Sequence, residues 1–190
     1  MSINPAPLKL EIILGSVREG RFGPTVARWF AGEAAARHDF TVDLVDIAEF
    51  ELPDAYPQLA GPQVVSFRDR LTAADAFVVV TPEYNHSYPA ALKQAIDLSG
   101  QSWYRKPVGF VSYGGMSGGL RAVEHLRGVF AEIHATTLRD VVSLHNVWSL
   151  FDEHGHFHDP GGTDAAVTTM LDQLAWWANA LRHARQPAAA

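Results

Sequence analysis

A doubly wound α/β domain built on a five-stranded parallel sheet is the fold that the sequence predicts, and three observations predict it. Short strand-like runs alternate with stretches of helical period along the chain. One run, Ala76 to Thr81, is apolar without interruption, the pattern of a central strand covered on both faces. The polar, glycine- and aromatic-rich loops follow the first, third and fourth runs, where such sheets bind ligands outside the carboxyl ends of their strands.

Leu10, Ile12, Ile13 and Leu14 form the first strand, and after Pro24 the residues Val26, Trp29, Phe30 and Ala34 recur at helical spacing. Phe40 to Asp46 alternates as a second strand, with Phe40, Val42 and Leu44 on one face. Ile47 to Pro62 carries three further prolines and a glycine and reads as a loop ahead of a helix over Val64 to Ala74. The central strand ends in Thr81-Pro-Glu-Tyr-Asn-His-Ser-Tyr-Pro89, and Pro89 suits the first turn of a helix that turns Leu92, Ala95 and Ile96 inward. A fourth strand, Lys106 to Tyr113, opens into Gly114-Gly-Met-Ser-Gly-Gly119, and a helix resumes at Leu120 with Val123, Leu126, Phe130 and Ile133 in period. Leu138 to Leu144 reads as a weaker fifth strand. Val167 to Leu181 is a strongly periodic last helix, and residues 1–7 and 186–190 read as frayed ends.

Length and composition bound the function. The 190 residues suit one domain, 1–190, with a full core. A formal charge of −6 disfavours nucleic acid or an anionic membrane as the main partner, so an anionic ligand needs local positive groups. With no cysteine, disulfides, thiol nucleophiles and cysteine-based metal centres are excluded. No apolar run has the length of a membrane span, and Met1 to Pro7 lacks the basic and apolar regions of a signal peptide, so the expected location is cytoplasmic.

The loop Gly15-Ser-Val-Arg-Glu-Gly-Arg-Phe-Gly23 has the parts of a phosphate cradle: glycines, the Ser16 hydroxyl, two guanidinium groups and the free N–H groups of the helix that follows. Arg21-Phe22 stand where a nucleotide-triphosphate loop needs Lys and then Ser or Thr, and the G-x-G-x-x-G spacing of dinucleotide sites is absent. A phosphate monoester fits better; the alternative is a plain strand-to-helix turn with surface arginines. The loops at 82–88 and 112–119 add tyrosines, an amide and glycines that admit a flat ring close to the main chain. A flavin with a ribityl phosphate meets this description, although each tyrosine taken singly reads as an ordinary rim aromatic.

These residues carry a resemblance. The stretches GSVREGRFGPTVARW, VVVTPEYNHSYPAALKQAID and KPVGFVSYGGMSGG resemble the NADPH-dependent FMN reductase family, the flavodoxin-like quinone, chromate and azo-dye reductases, over nearly the whole chain. The resemblance implies that Ser16, Arg18 and the backbone near Phe22 hold the FMN phosphate, that Pro82, Glu83, Tyr84 and Asn85 line the isoalloxazine, and that Ser112, Tyr113 and Gly114 close its other side. Many members carry a small hydroxyl residue in place of Arg21 and Asn in place of Gly23. Arg21 is therefore either a second charge on the phosphate or a solvent-facing side chain. NADPH or NADH is the implied donor and a quinone or azo compound the small-molecule acceptor, with no catalytic side chain assigned because the flavin carries the chemistry. An FMN electron carrier or a redox sensor are the alternative classes. The family also implies a homodimer or homotetramer, with Arg121 and Glu124 at an interface by position.

His154, His156 and His158 alternate, and on an extended strand would present three imidazoles to a metal. A polar hairpin between Phe151 and Pro160 is the favoured reading, with no metal. Trp176 and Trp177 read as core or interface, and His86 as a rim residue.

Overall fold

The computed structural model describes residues 6–158 and 161–186. Parallel strands β1 (Leu8–Leu14), β2 (Phe40–Asp46), β3 (Ala76–Pro82) and β4 (Pro107–Tyr113) form one sheet in the order β2-β1-β3-β4. The fifth place is shared by two short strands, β5 (Thr136–Thr137) and β6 (Val142–Leu144), both parallel to β4. The chain order thus reverses between β1 and β3, which opens a crevice at their carboxyl ends.

The continuous fifth strand expected over Leu138 to Leu144 is a correction. Thr137 is paired opposite Val108, and the chain then leaves the sheet until Val142 pairs with Val111. The outward bow survives because the Arg127 guanidinium donates to the carbonyls of Leu138 and Arg139, supplying partners that the ladder does not.

Helices cover both faces. On one lie α1 (Gly23–Ala35) and α5 (Thr163–Arg185), whose Val26, Phe30, Met170, Leu171 and Leu174 pack on Leu10, Ile12, Val78 and Val80. On the other lie α2 (Pro62–Ala73), α3 (Ala90–Ser99) and α4 (Leu120–Glu132), packed on Ile13, Phe77, Val79 and Phe110. β3 and β4 are buried along their whole length, as strands sandwiched between two helical layers must be. Pro89 is the N-cap of α3, one place before the expected first-turn position.

Residues 151–158 form a hairpin closed by the Phe151–Phe157 bridge, with Gly155 at φ 80°. Asp159 and Pro160, which would complete the expected span, lie outside the described residues, as do most of the expected frayed ends. Phe151 and Phe157 pack around Trp29 of α1, Phe157 stacking on its ring at 4.3 Å. His156 and His158 both approach Asp152, at 3.0 and 3.8 Å, and His154 approaches Glu153 at 3.6 Å. Among the described residues no group of His, Asp or Glu side chains is arranged to hold a metal ion. Of the tryptophan pair, Trp177 packs against the core and Trp176 is exposed.

Candidate functional site

The loop between β1 and α1 starts where Gly15 N donates to Val80 O at 2.9 Å, which fastens it to the end of β3. Ser16 follows, wholly buried. The backbone N–H groups of Val17, Arg18, Glu19, Gly20, Phe22 and Gly23 have no acceptor among the described residues. They gather at the positive end of α1, an arrangement that suits an anion. Arg18 is exposed and makes no ion pair among the described residues.

Arg21 does not face solvent as a free charge. Its guanidinium is engaged with both carboxylate oxygens of Asp46, the last residue of β2, and donates to Ser16 O. It therefore fastens the loop to the neighbouring strand instead of presenting a free charge. Asp46 escaped the sequence reading; its signal was an acidic residue ending the strand next to the basic loop. Phe22 is half-buried and meets Phe151 edge-on at 5.5 Å, which anchors the far end of the loop to the hairpin.

After β3 the chain turns tightly. Tyr84 and Ser87 exchange both backbone hydrogen bonds, at 2.8 and 3.1 Å, and the two residues between them, Asn85 and His86, have φ of 48° and 75°. Positive φ at both centres is what a type I′ turn requires, and Asn and His are among the residues other than glycine that adopt it most readily. Ser87 Oγ and His125 Nδ1 of α4 lie 2.9 Å apart and brace the turn.

The carboxylate of Glu83, a residue the resemblance puts along the ring, is engaged with the start of α4. It accepts from Ser117 Oγ at 2.8 Å, Arg121 Nη1 at 2.6 Å and Arg121 N at 3.2 Å. The N-cap of α4 is Gly119, which has no side chain to offer, so Glu83 caps that helix from a different loop. Burial works to raise its pKa, but the Arg121 and Ser117 hydrogen bonds outweigh that and hold the carboxyl below its ordinary value.

The glycine loop after β4 is fixed by the Ser112 hydroxyl and by β6. Ser112 Oγ donates to Gly118 O at 2.7 Å, and Gly114 N to Leu144 O at 3.2 Å. At Gly119, φ is 82° and an added Cβ would lie 2.9 Å from Tyr113 N, so only glycine fits. β6 and the segment after it complete the brace: Ser143 Oγ donates to Gly118 O, Asn146 N to Gly115 O and Val147 N to Gly114 O. These residues were not singled out from the sequence, since their role follows from β6 ending beside β4.

Tyr113 does not extend into that loop. Its side chain is buried under the start of α1, with Oη 3.3 Å from Ser16 Oγ. Burial pushes the phenol up to about 12. The three loops leave the carboxyl ends of β1, β3 and β4, which lie side by side in the sheet, and so carry Ser16, Arg18, Phe22, Pro82, Tyr84, Asn85, Ser112 and Gly114 to one end of it. There Val17 of the first loop and Ala90 and Gln94 of α3 line, with Ile47, Phe50 and Leu52, a cleft of about 550 Å³.

Known proteins are similar to this chain in sequence and in fold. The chain is 36% identical over 123 residues, 58% of its own length and 60% of the other's, to an NAD(P)H-dependent FMN reductase of Schizosaccharomyces pombe. It is 32% identical over 178 residues, 90% of this chain and 96% of the relative, to a 2-hydroxy-1,4-benzoquinone reductase of a Burkholderia species. Its fold is similar to that of FerB, a flavoenzyme NAD(P)H:(acceptor) oxidoreductase from Paracoccus denitrificans, at a TM-score of 0.75 with 22% identity, covering 91% of this chain and 98% of FerB. The sequence pattern of the NADPH-dependent FMN reductases matches residues 8–149, and the chain belongs to that family of flavodoxin-like oxidoreductases.

Proposed function

We propose that the chain oxidises NADPH or NADH at a bound FMN and delivers the electrons to a small acceptor such as a quinone or an azo compound. The observation that carries this reading is the crevice itself: unpaired N–H groups and Arg18 at the α1 end, and an aromatic and glycine-rich pair of loops at the other. The residues fit a phosphate monoester, because the loop N–H groups have no acceptor among the described residues and Ser16 adds a hydroxyl beside the start of α1. Ser16, Arg18 and the N–H groups from Val17 to Gly23 would hold the phosphate. Pro82, Tyr84, Asn85, Ser112 and Gly114 would bound the ring, with Arg21 and Glu83 acting by ordering the loops and the Tyr113 phenol lying at the phosphate end.

FMN supplies the hydride-accepting, electron-donating ring. The chain orients it, gives fixed N–H dipoles that favour negative charge, and leaves room for one flat partner at a time. No side chain is assigned a proton. The same reading makes 1–190 one FMN-binding domain, active in the cytoplasm as a homodimer or homotetramer. Exposed Met116, Leu120 and Trp148 near the crevice and Trp176 on α5 support the assembly, which light scattering at micromolar concentration tests. Among the described residues no helix is long and apolar enough to cross a membrane.

The decisive experiment is an absorption spectrum under anaerobic conditions. NADPH alone is expected to bleach the bound flavin, a simple quinone to restore the colour, and heat to release FMN and no FAD. A flavin that dithionite reduces and NADPH does not would make the chain an electron carrier.

A further inference from the structure

Side chains along β4 alternate, and Tyr113 shares its face with Val111, the face that α1 and α5 cover. Its phenol therefore runs beneath the β1–α1 loop, although its backbone begins the glycine loop. The oxygen fills the space that Gly23 leaves: a Cβ at Gly23 would stand 2.7 Å from Tyr113 Oη, 2.9 Å from Ser16 Oγ and 2.5 Å from Leu14 Cδ1. Gly23, Ser16 and Tyr113 thus interlock, and no side chain fits at position 23 while the phenol is in place.

Each hydroxyl has one proton to give. Among the described residues Ser16 Oγ and Tyr113 Oη have only one another as partners. If Ser16 gives its proton to a phosphate oxygen, its own oxygen is left to accept, and the phenol is the group within reach. We propose, on the FMN reading above, that Tyr113 is a positioning residue for the phosphate end of the site: its O–H donates to Ser16 Oγ and so directs the Ser16 proton toward the phosphate. The high pKa of the buried phenol keeps that proton on oxygen throughout the ordinary pH range. The consequence is a link between the two ends of the crevice, since the strand that carries the ring-side loop also sets the donor on the phosphate.

The test compares FMN with riboflavin, which lacks only the phosphate, by quenching of flavin fluorescence on the full chain. Tyr113→Phe is expected to weaken FMN about five- to tenfold, the range of one hydrogen bond, and to leave riboflavin within about twofold. In a Ser16→Ala background the same change should no longer weaken FMN, because the two hydroxyls act as one unit. Tyr113→Met, which fills the buried space without a hydroxyl, should give the same FMN-selective loss and serves if the phenylalanine variant does not fold. Equal loss for both flavins, an unchanged preference for FMN, or an undiminished effect without the Ser16 hydroxyl overturns the assignment. A wild-type chain that holds FMN no more tightly than riboflavin removes the phosphate site altogether, a different failure from an FMN preference that survives Tyr113→Phe.

Discussion

Arg21 grips Asp46 through both ends of its guanidinium, and each side chain of the pair is only 17% exposed. The pair joins the phosphate-type loop to the end of β2, and Arg21 holds the Ser16 carbonyl from the same guanidinium. A bidentate, half-desolvated pair is worth more than an exposed one, and removing one partner leaves the other charge poorly solvated. Arg21→Ala is therefore expected to lower stability by about 1–3 kcal/mol, read as a fall in the urea midpoint. Asp46→Asn added to it should recover part of the loss, because the stranded carboxylate is then gone. Simple additivity of the two changes would show that the pair does not act as one.

With Arg21 engaged, Arg18 is the arginine of the loop left without an ion pair among the described residues. A charge-assisted hydrogen bond to phosphate contributes about 1.5–3 kcal/mol. Arg18→Ala should weaken FMN by that amount, spare riboflavin and leave the urea midpoint unchanged. FMN affinity equal to the wild type would take Arg18 out of the phosphate site.

Glu83 ties the loop after β3 to the first turn of α4, so its loss should be felt in both. Glu83→Gln keeps the shape but weakens the hydrogen bonds from Arg121 and Ser117, and about 1 kcal/mol of stability is expected to go at neutral pH. Because the folded carboxyl lies below its ordinary value, its contribution is present above the unfolded pKa of about 4.5 and is lost as pH falls through the folded one. The gap between wild type and variant, followed by urea unfolding, should close toward acid. A gap independent of pH would show that shape and not charge is what Glu83 supplies.

The strands and helices were legible because apolar period reports burial directly, and β1, β3 and β4 are the most buried elements of the chain. β5 and β6 were misjudged because Leu138 and Val142 read alike as strand residues, while the bow between them depends on Arg127, a partner on another element. At the site, residue types and loop positions pointed to the crevice, but side-chain direction was not read from them. Tyr113 could have been placed by counting two residues on from Val111. Arg21 and Glu83 could not, since their partners Asp46 and Arg121 are brought close only by the order of strands in the sheet.

Glu11 lies far from the crevice and gives the fold a pH dependence of its own. It stands on β1 beneath α2, only 6% exposed, where Arg70 reaches Glu11 at 3.1 Å and Asp43 at 2.8 Å and so is shared between two carboxylates. Burial, and then the charge of Asp43, raise Glu11 to about 7 against the opposing pull of Arg70. Between its ordinary value of 4.5 and about 7, the folded chain retains a proton that the unfolded chain has released. Folding thus binds protons in this window, and the contribution of Glu11 to stability is full below 4.5 and is lost as pH rises through about 7. Glu11→Gln removes the titration while keeping a side chain that can still meet Arg70. Urea midpoints followed across that window should therefore fall more steeply with rising pH in the wild type than in the variant. Parallel profiles would show that Glu11 is ionised throughout, with Arg70 fully compensating its burial.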